Sequence, residues 1–175
     1  IDAFLAERRR LLEVVATTSE RDVLSQPARL TEVLGALDRS VAGGFFDLGV
    51  IDAAGRHVGY VGPYDLADRD YHETDWFAET MAGGSHVSDV FLGFRGVPHV
   101  IIAVRSERGP EPWILRATLD SKDFDRIVRS GELGPTTDVF LVDRSGRYQS
   151  SPRVGSLLEP APLPPPVPHQ GVRET

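Results

Sequence analysis

Residues 46–56 read FDLGVIDAAGR, and the fold of the chain is best approached from this stretch. In its first half every second residue is apolar, which is the two-residue period of a β-strand. Asp52 and Gly55 then favour a turn, because an Asp side chain can accept hydrogen bonds from nearby backbone N–H groups and Gly tolerates a positive φ. The stretch therefore predicts a β-hairpin whose return strand covers residues 56–62.

A second copy of this pattern lies further along the chain. Residues 141–147, LVDRSGR, echo VIDAAGR at residues 50–56, with an offset of 91 residues (141 − 50). We interpret the echo as a duplicated lobe, and chance recurrence of a common hairpin is the alternative. Only 28 residues (175 − 147) follow the second copy, which is too few to complete a second lobe.

The N-terminal side of the hairpin has a helical pattern. Residues 1–40 carry apolar side chains at three- and four-residue intervals, and Pro27 suits the first turn of a second helix. We interpret the triplet Arg8-Arg9-Arg10 as a solvated helix face, with contact to lipid headgroups as the alternative. The predicted apolar stripe of the first helix consists of Ile1, Phe4, Leu5, Leu11, Leu12 and Val15.

The C-terminal side of the hairpin alternates between irregular and extended segments. Residues 63–88 are polar and aromatic, with room for one short helix near Trp76–Met81. A last helix is expected after the strands, because Asp120 can cap it and Gly131 can end it. Further strands are predicted at residues 89–94, 98–105 and 112–119. The predicted fold class is α+β.

Composition excludes several classes of function. The chain has 175 residues with a net charge of −7, and phosphate neutralisation needs a basic face, so nucleic acid is not an expected partner. The absence of Cys excludes disulfides, zinc–thiolate sites and a Cys nucleophile. No apolar run approaches the roughly 20 residues that span a bilayer. Seven of the 13 prolines lie in residues 152–175, which predicts an extended, mobile tail.

A set of short motifs points to a family. They are FDLGVID at 46–52, GPY at 62–64, DY at 70–71, DWF at 75–77, VSDVFLG at 87–93, PHVIIAV at 98–104 and RATLD at 116–120. As a set they resemble the double Cache family of extracytoplasmic sensor domains, and most of all the sensor region of bacterial transmembrane histidine kinases. With the long first helix, the resemblance covers most of residues 1–153.

The resemblance implies an arrangement of lobes. Residues 1–40 are expected to form stalk and packing helices, and residues 41–134 a membrane-distal, PAS-like antiparallel sheet lobe that senses a ligand. Residues 135–175 are expected to begin a second, incomplete PAS-like lobe that is membrane-proximal and ends in the Pro-rich tail.

The resemblance also implies a function. It is extracytoplasmic small-molecule sensing for a two-component sensor histidine kinase, with a chemoreceptor, a diguanylate cyclase or a ligand-free dimerisation module as alternatives. An inner-membrane protein is implied, with this part periplasmic, membrane contact only through flanking helices outside this chain, and a homodimer through the first helix. No catalysis is expected in this chain, although the full-length protein would be a protein kinase.

Candidate ligand-binding residues come from the irregular segment and the strands. Aromatic side chains with polar groups need partners when buried, so their place in residues 63–88 favours a pocket lid over a strand core. We interpret the acidic residues between 65 and 79 as a solvated polar loop, with partners of a cationic ligand as the alternative and calcium disfavoured by the spacing. Arg116 can hold a ligand carboxylate or pair with Asp89 or another carboxylate. The predicted set is Tyr64, Tyr71, Trp76, Asp89, Phe91, His99, Arg116 and Thr118.

The resemblance carries a finer test of the ligand. Amino-acid-binding members of the family carry an Arg two residues before the Trp and an acidic residue on the last strand. Here Thr74 and Thr118 stand at those places, and Asp89 matches the remaining acidic position. Because a buried zwitterion without charge partners is costly, an ordinary α-amino acid is disfavoured, and a small organic carboxylate or amine is expected.

No cofactor, metal ligand or catalytic residue is predicted. His86, Ser88 and Asp89 lie close together in the sequence, but a catalytic triad is defined by geometry, and no nucleophile-elbow, zinc-protease or phosphate-loop motif is present.

Overall fold

The computed structural model describes residues 1–41, 44–66, 69–131, 134 and 137–163. It divides into two compact units, Ile1–Asp123 and Phe124–Thr175. The Pro-rich segment at 164–175, predicted to be extended and mobile, lies outside the described residues.

Helices and strands follow one another in the α+β order that the sequence predicts. The helices are α1 (Asp2–Thr18), α2 (Arg21–Leu24), α3 (Pro27–Ser40), α4 (Asp75–Gly83) and α5 (Ser121–Arg129). The strands are β1 (Asp47–Ile51), β2 (His57–Val61), β3 (Ser85–Val87), β4 (His99–Ser106) and β5 (Trp113–Asp120). The predicted position of Pro27 in the first turn of a helix is confirmed at α3.

The strands form one antiparallel sheet in the order β2-β1-β5-β4-β3. The register aligns residues from four neighbouring strands in a row: Gly49 of β1 lies opposite Arg116, which lies opposite Ala103, which lies opposite His86. Because directly opposed residues point to the same face of a sheet, all four residues of this row lie on one face.

Each face of the sheet has its own cover. On one side α1 packs against β4 and β5, and α3 packs against β2 and β1. The Ser106 hydroxyl donates a 2.6 Å hydrogen bond to the Ala16 carbonyl, which fixes α1 to β4. The other side packs against α4 and the segment before it, and its hydrophobic cluster consists of Ile51, Tyr71, Trp76, Phe77, Ile101, Ala103 and Ile114.

Two local predictions need correction, and the first concerns α1. Its fully buried residues are Arg8, Leu12 and Ala16, so of the predicted stripe only Leu12 is fully buried. Arg8 is 1% exposed, not on a solvated face. Its guanidinium lies 3.3 Å from the centre of the Phe4 ring and pairs with Glu7 at 3.2 Å, which offsets the loss of hydration.

The second correction concerns residues 89–94, which do not form a strand. Phe91 makes one isolated bridge to His99, and a 3₁₀ turn follows at Gly93–Arg95. Gly93 has φ 52° and Gly96 has φ 65°, values that a strand does not contain. A short strand that the sequence did not predict, β3, lies just before this segment.

The second unit contains the echoed hairpin turn. Asp143 accepts hydrogen bonds from the backbone N–H groups of Ser145 (2.8 Å) and Arg147 (2.9 Å), and Gly146 has φ 79°. In the first unit Asp52 accepts from Ala54 and Arg56 at 3.0 Å each, and Gly55 has φ 85°. Both predicted turns are confirmed, and the duplication itself stays a prediction.

Candidate functional site

A cavity of about 640 Å³ lies between the sheet and the segment that covers its α4 side. Its walls combine aromatic and aliphatic side chains with two arginines and three acidic residues. The lining residues are Leu66, Tyr71, Glu73, Thr74, Asp75, Trp76, His86, Ser88, Asp89, Phe91, Gly93, Phe94, Arg95, His99, Ile101 and Arg116.

Beneath one end of the cavity lies a cluster of three charged side chains, Asp47, Arg95 and Arg116, which we call the buried ion cluster. Asp47 is fully buried, and one carboxylate oxygen lies 2.9 Å from Arg116 Nη2. The other oxygen lies 3.0 Å from Arg95 Nη2 and accepts a 3.0 Å hydrogen bond from the Tyr60 hydroxyl. Burial alone raises the pKa of Asp47, but Arg116 and Arg95 outweigh it and hold that pKa below its usual value.

Arg116 reaches this cluster from the centre of the sheet. It is 2% exposed, and besides Asp47 it donates hydrogen bonds to the Tyr71 hydroxyl (3.1 Å) and the Thr118 hydroxyl (3.1 Å). Burial lowers the pKa of a guanidinium, yet the Asp47 charge reverses this and raises the pKa of Arg116. Arg116 is therefore a positively charged group in the cavity wall.

Arg95 enters the cluster from the 3₁₀ turn at Gly93–Arg95. Its side chain is 3% exposed, and its guanidinium carbon lies 4.2 Å from the centre of the Tyr64 ring and 5.0 Å from that of Phe46. Contacts of this kind attract a cation to the negative face of the ring. Gly93 begins the turn and Gly96 follows it, and the positive φ of both residues allows the tight path that places Arg95 beside Asp47.

Two histidines beside the cluster are uncharged at neutral pH. Burial lowers the pKa of His57 to about 4, and burial likewise lowers the pKa of His99 to about 4. His99 lines the cavity and packs against Phe91, with ring centres 4.6 Å apart. Neither histidine adds charge to the site above about pH 6.

The acidic lining residues Glu73, Asp75 and Asp89 are exposed, and we call them the acidic rim. Asp89 follows β3 at the edge of the sheet, and Asp75 begins α4, which packs against β3 and β4, whereas the buried ion cluster lies over β1 and β5. His86, which also lines the cavity, lies 2.7 Å from the Glu79 carboxylate. The cavity thus has a buried end with a positive surplus and an exposed end with a negative one.

Six of the eight predicted site residues line this one cavity: Tyr71, Trp76, Asp89, Phe91, His99 and Arg116. Tyr64 does not; it stacks on Arg95 in a separate groove that includes Phe46 and Lys122. Thr118 is fully buried behind the wall, where its hydroxyl accepts the hydrogen bond from Arg116. That these residues bind a ligand stays a prediction.

The structure also decides which carboxylate pairs with Arg116. Of the alternatives, it is not Asp89 but Asp47, which lies opposite Thr118 on the neighbouring strand. Asp47 and Arg95 were not predicted as site residues. An acidic residue inside a strand of buried side chains was the available signal for Asp47, whereas nothing in the sequence around Arg95 indicated its partner.

Tyr71 and Trp76, two of the aromatic side chains that were predicted to form a pocket lid, pack against each other, and the described acidic residues between 65 and 79 are exposed. Tyr71 contacts Trp76 and Phe94, with ring centres 5.1 and 5.5 Å apart. Asp70 caps the turn to His72 through a 2.8 Å hydrogen bond. Within the described ranges, no group of three metal-ligating side chains comes together.

The sheet, its helical cover and its cavity form a fold that several solved ligand-binding domains share. The ligand-binding domain of the Pseudomonas aeruginosa amino acid chemoreceptor PctB with L-Arg has a TM-score of 0.67 and 22% identity, over 90% of this chain and 62% of that one. The domain of PctC from the same organism, with GABA, has a TM-score of 0.66 and 18% identity, over 95% and 78%.

A third similar structure is the ligand-binding domain of the Pseudomonas fluorescens chemoreceptor CtaA with L-isoleucine, at a TM-score of 0.63 and 15% identity, over 90% and 65% of the two chains. The predicted Cache-type fold is confirmed by these structures. The chain spans slightly less than two thirds of the length of the PctB and CtaA domains. No protein-family model matches the sequence, and no curated protein matches it.

These neighbours go against one expectation. Their ligands are amino acids and GABA, whereas the sequence analysis disfavoured ordinary amino acids. The premise of that expectation was that charge partners for an amino acid are missing, and Arg95, a cation that the sequence did not place at the site, lines the cavity.

Within the described ranges, none of the helices is both long enough and apolar enough to cross a bilayer.

Proposed function

We propose that this chain is the extracytoplasmic input domain of a transmembrane receptor and that it binds a small organic solute in the cavity over the sheet. One observation carries the proposal: a 640 Å³ cavity combines an aromatic wall with buried charged groups. A cavity of this size and mixed lining is typical of a small-molecule site. Occupancy would stabilise the ligand-bound arrangement over the empty one and so pass on a signal.

Thermal-shift screening followed by calorimetry tests the proposal. Amino acids belong in the first panel because the similar chemoreceptor domains hold them, together with organic acids and amines. A ligand at 100 times its Kd stabilises the domain by about 2.7 kcal/mol, which a melting curve resolves. Failure of every class to bind would overturn the proposal.

A blocking variant ties binding to this cavity. Asp89→Trp places a large side chain on the acidic rim and is expected to abolish the thermal shift. Asp89→Asn separates the loss of charge from the blockage. Asp65→Trp is the matched control, because Asp65 is exposed and does not line the cavity.

The proposed output is a histidine kinase, as the sequence resemblance implies. A chemoreceptor is the second candidate, because the similar solved structures are chemoreceptor domains. If the full-length protein in vesicles phosphorylates itself in a ligand-dependent way, the output is a histidine kinase. If it does not phosphorylate itself but controls a bound kinase in a ligand-dependent way, the output is that of a chemoreceptor. An inner-membrane location, with this domain periplasmic, is part of the proposal.

Dimerisation through α1 is a further part of the proposal. Val14 is 60% exposed on α1, and a shallow groove along the same helix includes Phe4 and Leu11. Light scattering of the domain and of its Val14→Glu variant tests the interface. We expect a dimer that the substitution converts to a monomer, and a monomeric parent protein would contradict it.

A further inference from the structure

We propose that the cavity selects ligands with a single anionic group, such as a carboxylate, and that Arg95 holds this group together with Arg116. The inference rests on the proposed function, since it names the chemical class of the solute. Two buried guanidinium groups share one buried carboxylate, Asp47, at one end of the cavity. That end therefore carries one positive charge more than its protein partners balance.

Unsatisfied hydrogen-bond donors on both arginines support this surplus of positive charge. Among the described residues, Arg95 Nε, Arg95 Nη2 and Arg116 Nε are buried without a hydrogen-bond acceptor. Arg95 Nη2 lies within ion-pair distance of Asp47 but makes no hydrogen bond to it. Because a buried charged donor without an acceptor is costly, these three nitrogen donors, on two residues that line the cavity, favour an anionic acceptor from outside the chain.

The aromatic contacts of Arg95 hold its guanidinium in one orientation. Its guanidinium rests against the rings of Tyr64 and Phe46, which limits its rotation without consuming its N–H groups. A planar guanidinium that is fixed and still has free donors matches the two oxygens of a carboxylate. Tyr64, placed in the cavity by the sequence analysis, acts here by positioning Arg95.

The opposite end of the cavity limits the charge of the ligand. A second carboxylate that extended away from the buried ion cluster would approach the acidic rim of Glu73, Asp75 and Asp89 and be repelled. The wall between the two ends includes Trp76 and Ile101, which suit an apolar or aromatic body. The ligand class is therefore a monocarboxylate with an apolar body, and a cationic group at its far end is compatible with the rim.

Calorimetry with matched probes tests the inference. The probes are hexanoate, hydrocinnamate and L-phenylalanine, each beside its primary amide, with phenethylamine as a cation and phenylsuccinate as a dianion. We expect at least one monocarboxylate to bind about 10- to 100-fold more tightly than its amide, because hydrogen bonds to charged groups are lost. We expect the amine and the dianion to bind more weakly than that carboxylate.

Variants of Arg95 test whether this residue causes the preference for a carboxylate. Arg95→Gln is expected to bring the affinity for the carboxylate down to that for the amide while the empty domain melts at or above the parent temperature, since a surplus buried charge is removed. A purely structural Arg95 would instead lower the melting temperature. Arg95→Lys keeps the charge but loses the planar fork, and should bind with intermediate affinity. Arg69→Gln is the control, because Arg69 also lies against a ring, that of Phe94, but does not line the cavity.

The outcomes separate the two proposals. Amides or amines that bind as tightly as carboxylates, or carboxylate selectivity that survives in Arg95→Gln, would overturn the anion inference and leave the sensing function intact. An absence of binding by these probes and by the wider panel would overturn both.

Discussion

The buried ion cluster and the acidic rim are built from the same kinds of charged side chain but differ in their access to water. Asp47 in the cluster is fully buried and has two arginines and a tyrosine as partners. Asp89 on the rim is exposed. Charge interactions are several times stronger at low effective dielectric than in water, so equal substitutions in the two regions should have unequal effects.

The largest difference is expected between Asp47→Asn and Asp89→Asn. The first leaves two buried guanidinium groups without a counter-charge and should lower the free energy of unfolding by about 3–5 kcal/mol. The second should change it by less than about 0.5 kcal/mol, as is usual for an exposed position. Urea denaturation of both variants measures the two values. Equal losses would show that the cluster is as well solvated as the rim.

The second largest effect is the loss of stability at low pH that the two buried histidines should cause. The pKa of each, His57 and His99, is about 4 in the folded domain because burial disfavours the charged form, against an ordinary value of 6.5. The unfolded chain therefore binds protons first as pH falls, so the contribution of the two histidines to stability is complete above pH 6.5, declines towards pH 4 and levels off below it. The combined loss is on the order of a few kcal/mol, since each histidine contributes at most about 3 kcal/mol.

Denaturation across this pH range measures the loss. His99→Gln should flatten the curve between pH 6.5 and 4, because it removes one of the two buried imidazole rings. A parent curve that is flat over this range would contradict the burial of both rings.

Local chemistry explains which parts of the fold could be predicted from the sequence. The two turns at Asp52 and Asp143 depend on hydrogen bonds within five residues, so Asp and Gly at fixed spacing were enough. Strand alternation was also enough to place Arg116 in the candidate site. The segment at 89–94 was predicted wrongly, because apolar side chains do not report the positive φ of Gly93 that ends an extended path.

Long-range partners explain what could not be predicted. Arg95 and Asp47 are far apart in the sequence, and only the folded sheet and the 3₁₀ turn at Gly93–Arg95 bring them to 3.0 Å. Arg8 shows the same limit on α1, since its burial depends on the position of the Phe4 ring and on the packing of the helix. The sequence therefore indicated the aromatic and acidic parts of the candidate site and Arg116, but not Arg95 or the pairing of both arginines with Asp47.

A smaller effect within the buried region is expected from Tyr71→Phe. The substitution removes the hydroxyl that accepts a hydrogen bond from Arg116 Nη1 and leaves the ring in place against Trp76. The free energy of unfolding should fall by about 1–2 kcal/mol, the usual effect of leaving one buried donor unsatisfied. Thermal and urea denaturation measure it, and Tyr64→Phe is the control, because Tyr64 contacts Arg95 through its ring face. A loss no larger than that of the control would mean that Arg116 finds another acceptor.

The smallest effect is expected at the exposed end of the cavity, where His86 lies 2.7 Å from Glu79. The Glu79 side chain is 62% exposed, so water competes for its charge. A double-mutant cycle with Glu79→Gln and His86→Gln should give a coupling free energy below about 0.5 kcal/mol. A coupling of several kcal/mol would mean that this end is also shielded from water, and the contrast between the two ends of the cavity would no longer account for the preference for an anion at one of them.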